Sequence, residues 1–241
     1  MTSLRAAALT DIGRVRQRNE DRYLLDLETN VFGVSDGVGG LPGGADAAQR
    51  SVDEVSAALR DIPPGEKPDY TAIVHQVNLS VHMLGLKLSP SMGIGATLTF
   101  GQVTDKILHI SHVGDSRCYG YRKGHIQLLT EDHSVENEAK IRRARGETVY
   151  YHEANRNALT RCIGQPSPPI VDLIERQLEV GDRYLFCTDG VTRLVRDSEL
   201  CDMIDREATP DEMLQEIVSL AVRRGGPDNA TGVLVFIDEV S

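Results

Sequence analysis

VFGVSDGVGG, residues 31–40, is where the chain changes character. Residues 31–35 are mostly apolar and read as a strand. The run breaks at Asp36-Gly37, and from Gly43 to Leu59 the pattern is helical, with Ala47, Val52, Val55 and Leu59 at helical spacing. A strand ending in Asp-Gly projects a carboxylate from the rim of a sheet. The glycines let the backbone approach a ligand closely and free the Gly37 carbonyl as a second oxygen donor. Taken alone, the segment reads equally as a glycine-rich turn that only starts a helix.

Outward from there the feature recurs. Asp115 lies in ILHISHVGDSR, Asp189 in RYLFCTDG and Asp228 in GGPDNATGVLVF. Each reads as a turn residue at the end of a buried strand, and each alone is an ordinary turn residue. Jointly they describe four rims that, brought together, make a pocket of hard oxygen donors. Such a pocket suits Mg²⁺ or Mn²⁺ and points to a metal-dependent hydrolase acting on phosphate esters. Upstream, RQRNED spans Arg16 to Asp21. A guanidinium can bind two phosphate oxygens at once, and Glu20 and Asp21 can hold metal waters. The plainer reading of this stretch is a charged surface turn.

Other motifs carry less. The seven histidines offer no HExxH, and His109 and His112 fall on opposite faces of a strand. GIGATL, residues 93–98, lacks the third glycine and the following helix of a nucleotide loop. Arg142, Arg143 and Arg145 read as a solvated basic face, or as a contact for a phosphorylated or acidic partner.

Strands are expected at 4–10, 22–27, 31–35, 96–103, 106–113, 117–122, 125–129, 171–178, 183–188 and 230–237. A second helix spans about Tyr70 to Leu88, after a break at Pro63, Pro64 and Gly65; two more cover about 197–206 and 210–224. Tight turns between strands favour antiparallel sheets. The fold class is α+β: two stacked, largely antiparallel sheets flanked by helix pairs. No linker divides residues 1–241, so one domain is expected, with a polar flap insertion at about 134–157, part helix and part loop.

The net charge is −10, from 26 basic and 36 acidic residues. That argues against non-specific nucleic-acid binding and anionic membranes. No apolar run approaches the length of a membrane span and no leader is evident. The four cysteines have no CxxC spacing, and Cys118 and Cys187 sit in apolar runs. A cytoplasmic chain with reduced thiols is expected.

GRVRQRNEDRY, VFGVSDGVGG, GIGATLTF, HVGDSRCYGYRKGHIQLLTEDHS, RNALTRCIG, LFCTDGVTRLV and GGPDNATGVLVF occur in one order over nearly the whole chain. Together they resemble the PPM (PP2C-type) metal-dependent serine/threonine protein phosphatases in their compact bacterial form. The resemblance implies a four-layer αββα sandwich with a binuclear Mn²⁺ or Mg²⁺ centre. It makes Asp36 the bridging ligand, with the Gly37 carbonyl on the first metal and Asp189 and Asp228 on the second. Asp115, with Asp189, would hold a third ion. Arg16 would bind the substrate phosphate, Glu20 and Asp21 would orient metal waters, and Asn229 follows Asp228 as the family pattern expects. A metal-activated water would attack phosphoserine or phosphothreonine, opposing a serine/threonine kinase, in a monomer. The family's bacterial motif DGMGGH reads DGVGGL here, with Val38 and Leu41 in place of Met and His. Val38 also stands where some eukaryotic relatives place a histidine as general acid, so leaving-group protonation must come from a metal-bound water or another group. Two other readings share these residues: a phosphoprotein-binding module without turnover, and a phosphatase of small phosphoesters.

Overall fold

The computed structural model describes residues 2–63 and 66–240, so the expected breaks at Pro64 and Gly65 lie outside the described residues. In chain order the strands are β1 (Ser3–Asp11), β2 (Asp21–Asp26), β3 (Val31–Asp36), β4 (Leu98–Thr104), β5 (Ile107–Val113), β6 (Arg117–Arg122), β7 (His125–Leu128), β8 (Asp172–Gln177), β9 (Arg183–Cys187) and β10 (Ala230–Glu239). The helices are α1 (Gly44–Arg60), α2 (Tyr70–Leu88), α3 (Val135–Ala144), α4 (Asp189–Thr192), α5 (Asp197–Ile204) and α6 (Pro210–Arg223).

One sheet has the order β1-β10-β9-β6-β7 and the other β2-β3-β4-β5-β8. Every neighbouring pair is antiparallel. Phe32, Val34, Leu108, Ile110, Cys118, Phe186, Val233 and Val235 are buried between the two sheets. α1 and α2 lay Val52, Val55, Val77 and Val81 over Val31, Phe100 and Leu98 of one outer face. α5 and α6 lay Leu200, Met213, Leu214 and Ile217 over Leu185 and Leu234 of the other. The core is thus aliphatic with a few phenylalanines and tyrosines, in a chain without Trp.

Short hairpins form where the turn chemistry allows. Lys123 and Gly124 both adopt positive φ, at 50° and 81°, which suits a two-residue turn between β6 and β7. Leu178–Asp182 looks equally like a hairpin turn, yet β8 pairs with β5 while β9 pairs with β10 and β6. This connection changes sheets. So do β1–β2, β5–β6 and the long return from β7 to β8. The first two of these crossings carry Arg16–Glu20 and Asp115. Residues 134–157 form α3, capped by the Ser134 hydroxyl accepting from the Asn137 N–H at 3.3 Å, and an irregular return with a single 3₁₀ turn at Glu153–Asn155.

Candidate active site

Asp36 ends β3, and its backbone is pinned from both sides. Its N–H donates to Thr97 Oγ1 at 2.9 Å, and the Thr97 N–H donates to its carbonyl at 2.8 Å. The Thr97 hydroxyl in turn pairs with Ser116 Oγ at 2.7 Å, beside Asp115. Gly37 sits against the start of α1: a Cβ there would lie 2.4 Å from the Gly44 carbonyl carbon, so only glycine fits. Asp21 faces Asp36 across the β2–β3 register, 2 % exposed, and its Oδ2 accepts from Thr188 Oγ1 at 2.8 Å.

Asp115 lies on the β5–β6 crossing, and Asp189 is the first residue of α4, directly after β9. Asp228 corrects the sequence reading: it precedes β10 instead of ending a strand. β10 runs antiparallel to β9, so its beginning shares a rim with β9's end. The residue type and place hold although the order of strand and turn is reversed. Gly190 makes the junction possible, since a Cβ on it would lie 1.8 Å from the Asn229 carbonyl oxygen.

Arg16 reaches this rim from the β1–β2 crossing. Its Nη2 donates to Asp228 Oδ2 at 2.7 Å, and its Nη1 would be 3.3 Å from a Cβ on Gly39. Asn229 acts on backbone: its Oδ1 accepts from the Glu20 N–H at 2.8 Å and its Nδ2 donates to the Ile12 and Arg18 carbonyls at 2.9 and 3.0 Å. It fastens the crossing that carries Arg16 and Glu20.

Arg16, Glu20, Asp36, Gly37, Asp115, Asp189, Asp228 and Asn229 line one cavity of about 340 Å³, walled on the flap side by Asn157–Leu159. Asp21 lies beneath it, outside the lining. A larger cleft of about 720 Å³ opens between β6–β7 and β8, lined by Arg122, Gln127, Arg176 and Tyr184 among others. The acid cluster is in the smaller cavity, and chemistry outranks volume here.

The carboxylates oppose one another's ionisation. Burial, then Asp21, Asp189, Asp115 and Asp228, hold the Asp36 carboxyl well above the usual range. Burial raises Asp21 to about 7, against hydrogen bonds from Thr231 and Thr188. Burial and Asp189 raise Asp115 to about 7, with Arg193 opposing. Burial also raises Asp189, again with Arg193 opposing.

Among the described residues, no three Asp, Glu, His or Cys side chains are drawn together tightly enough to hold a metal ion as they stand. The donor set nevertheless fits hard divalent ions. It is all oxygen, its charges repel, and the buried Oδ1 atoms of Asp21 and Asp189 have no hydrogen-bond partner.

The sequence reading missed the hydroxyls under the cluster. Thr97, Ser116, Thr188 and Thr231 are all at most 1 % exposed. A polar residue inside an apolar strand run was the available signal. It also passed over Arg193, which pairs with Asp189, and Asp132, held by Arg117 at 2.8 and 2.7 Å.

The protein phosphatase 2C family model matches residues 13–230. A protein phosphatase 2C-type chain of Streptococcus pyogenes is 31 % identical over 94 % of each chain. Protein phosphatase PhpP of Streptococcus pneumoniae is 30 % identical over 96 % of each. The solved catalytic domain of the serine/threonine protein phosphatase PstP, in complex with two manganese ions, is 28 % identical and superposes with a TM-score of 0.83, covering 98 % of this chain and 99 % of that one.

Proposed function

The chain belongs to the protein phosphatase 2C family and is a metal-dependent serine/threonine phosphatase, and from that premise we propose that it hydrolyses phosphoserine and phosphothreonine on proteins at the Asp36 cavity. The observation that carries this reading is the meeting of Asp36, Asp115, Asp189 and Asp228 with Arg16 in one cavity, from elements far apart in the chain.

Asp36, the Gly37 carbonyl, Asp189 and Asp228 are the residues to hold two Mn²⁺ or Mg²⁺ ions. When bound, such ions supply a nucleophilic water at neutral pH and positive charge near the phosphoryl group. The chain's own part is positional. Arg16, fastened through the Asn229 clasp, offers two N–H donors to phosphoryl oxygens and exchanges its Asp228 partner for substrate. Glu20 and Asp21 orient water around the donors. Thr97 holds Asp36 so that its carboxylate, not its backbone, adjusts. Asn157–Leu159 shape the approach of the peptide.

The substrate is a phosphorylated protein, in a pathway set by a serine/threonine kinase. The compartment is the cytoplasm; among the described residues no helix is long and apolar enough to cross a membrane. The test is hydrolysis of a phosphothreonine peptide with Mn²⁺, with excess EDTA, and by Asp36→Asn, beside rates on a small phosphoester. Turnover that needs both metal and Asp36 and favours the peptide supports the reading. Turnover unaffected by EDTA or by the variant overturns it.

A further inference from the structure

We propose that Arg193 stands where a third cation would sit, so that this centre takes two divalent ions and neutralises the Asp115–Asp189 corner with its own guanidinium. The inference rests on the two-ion reading above and adds a limit to it.

The geometry is built into one helical turn. Asp189 opens α4 and Arg193 follows four residues later, which places both on one face. The Arg193 N–H donates to the Asp189 carbonyl at 2.9 Å, fixing the turn that aims the side chain. The Arg193 guanidinium pairs with Asp189 Oδ2, while Asp189 Oδ1 is buried and has no partner. The carboxylate is thereby divided: one oxygen meets the arginine and the other is left for an ion.

Arg193 also acts on Asp115. Together with Asp115 and Asp189 it lines both the Asp36 cavity and the adjoining one, of about 320 Å³. The neighbouring acid, Asp132, is engaged on both oxygens by Arg117. Burial and Asp189 hold the Asp115 carboxyl up, Arg193 favours its ionised form, and Asp132 opposes it. A guanidinium paired with Asp189 and sharing the cavity wall with Asp115 offsets the charge of this corner, and its own charge repels a further divalent ion there. A third ion therefore has to displace Arg193 from Asp189, and Arg193 cannot be neutralised by losing its proton.

The test counts ions. Mn²⁺ binding is measured by calorimetry and by the electron paramagnetic resonance signal of free Mn²⁺, on the wild type, Arg193→Ala, Arg193→Lys and Arg193→Ala/Asp115→Asn. Expected are two ions per chain in the wild type and in Arg193→Lys. Arg193→Ala should gain a third, weaker ion that Asp115→Asn removes again. Three ions in the wild type, or two in Arg193→Ala, overturns the proposal. Fewer than two in the wild type overturns the two-ion reading beneath it, and this proposal with it. The Arg193 side chain is 41 % exposed, and a thermal melt on each variant confirms that the counts come from folded protein.

Discussion

Replacing Asp36 by Asn keeps the shape of the side chain and removes one charge from a crowded group of acids. Its carboxyl is held high by burial and four neighbouring aspartates, so the metal-free protein is strained by the charge that function needs. Asp36→Asn should lose at least about 10²-fold in turnover, the scale of removing a key electrostatic contact. The same change should raise the melting temperature of the EDTA-treated protein, because repulsion is relieved. A variant with near-normal rate would remove Asp36 from its assigned role. Gly190 is the opposite case, since it carries no chemistry and cannot be replaced. A Cβ 1.8 Å from the Asn229 carbonyl oxygen forces α4 and the Asp228 turn apart. Gly190→Ala should cost more than about 3 kcal/mol in denaturant unfolding and reduce Mn²⁺ affinity together with it.

At the level of elements, the root of the flap is tied to β5 by two imidazoles packed at a tilt of 41°. His112 on β5 and His133 lie with ring centroids 4.6 Å apart. His112 Nε2 meets the Glu131 carbonyl at 2.9 Å, so it must carry the proton, and Nδ1 accepts from Thr99. His133 Nδ1 accepts from the Gly114 N–H at 3.0 Å, so its Nε2 donates to Asp172. Burial, reinforced by His133, pushes His112 down to about 4, and burial lowers His133 as well. An unfolded chain protonates histidine near 6.5. Between those two values the unfolded state binds more protons, so stability falls as the pH is lowered from 6.5 toward 4. The loss from His112 reaches roughly 3 kcal/mol at one pKa unit per 1.36 kcal/mol. Denaturant melts across that range should show the slope, and His112→Gln should flatten it. Helix α6 offers a control far from the cavity. Thr209 and Glu212 form its capping box, and Thr209→Ala should cost about 1 kcal/mol while leaving turnover unchanged. These elements differ in how openly the sequence displays them. The Thr209-Pro210 start of α6 is local chemistry and reads directly. The stripe of Ile73, Val77, Val81 and Leu84 likewise announces α2. α4 is one turn long, too short for any period, and it was invisible until β9 and β10 brought Asp189 and Asn229 together. The role of Asn229 was equally hidden, because its three partners lie more than two hundred residues away.

For the molecule as a whole, the layers and their antiparallel strands follow from periodicity and short turns, whereas sheet membership does not. Leu178–Asp182 is as tight as a hairpin yet passes from one sheet to the other. Only the competition among buried faces decides that, since Phe186 and Phe32 both have to be buried in the middle layer. Phe186→Ala, at a side chain with no exposed surface, should cost about 3–5 kcal/mol and unfold the molecule as one unit. The acids divide between the sheets: Asp21 and Asp36 belong to one, Asp189 and Asp228 flank strands of the other. Ions held as proposed would clamp both sheets together. Saturating Mn²⁺ should therefore stabilise the whole fold, by about 2.7 kcal/mol at a hundredfold excess over Kd, and a melt with EDTA should lose that increment. The arrangement also sets a clock. β1 is made long before β10, with which it pairs along its whole length, and Asp36 waits for Asp228. At about 5–20 residues per second of synthesis, the ribosome spends roughly ten seconds or more between those two aspartates. Throughout that time the growing polypeptide owns half a sheet partner and an incomplete centre, so it cannot act on any phosphoprotein before its translation has passed residue 228.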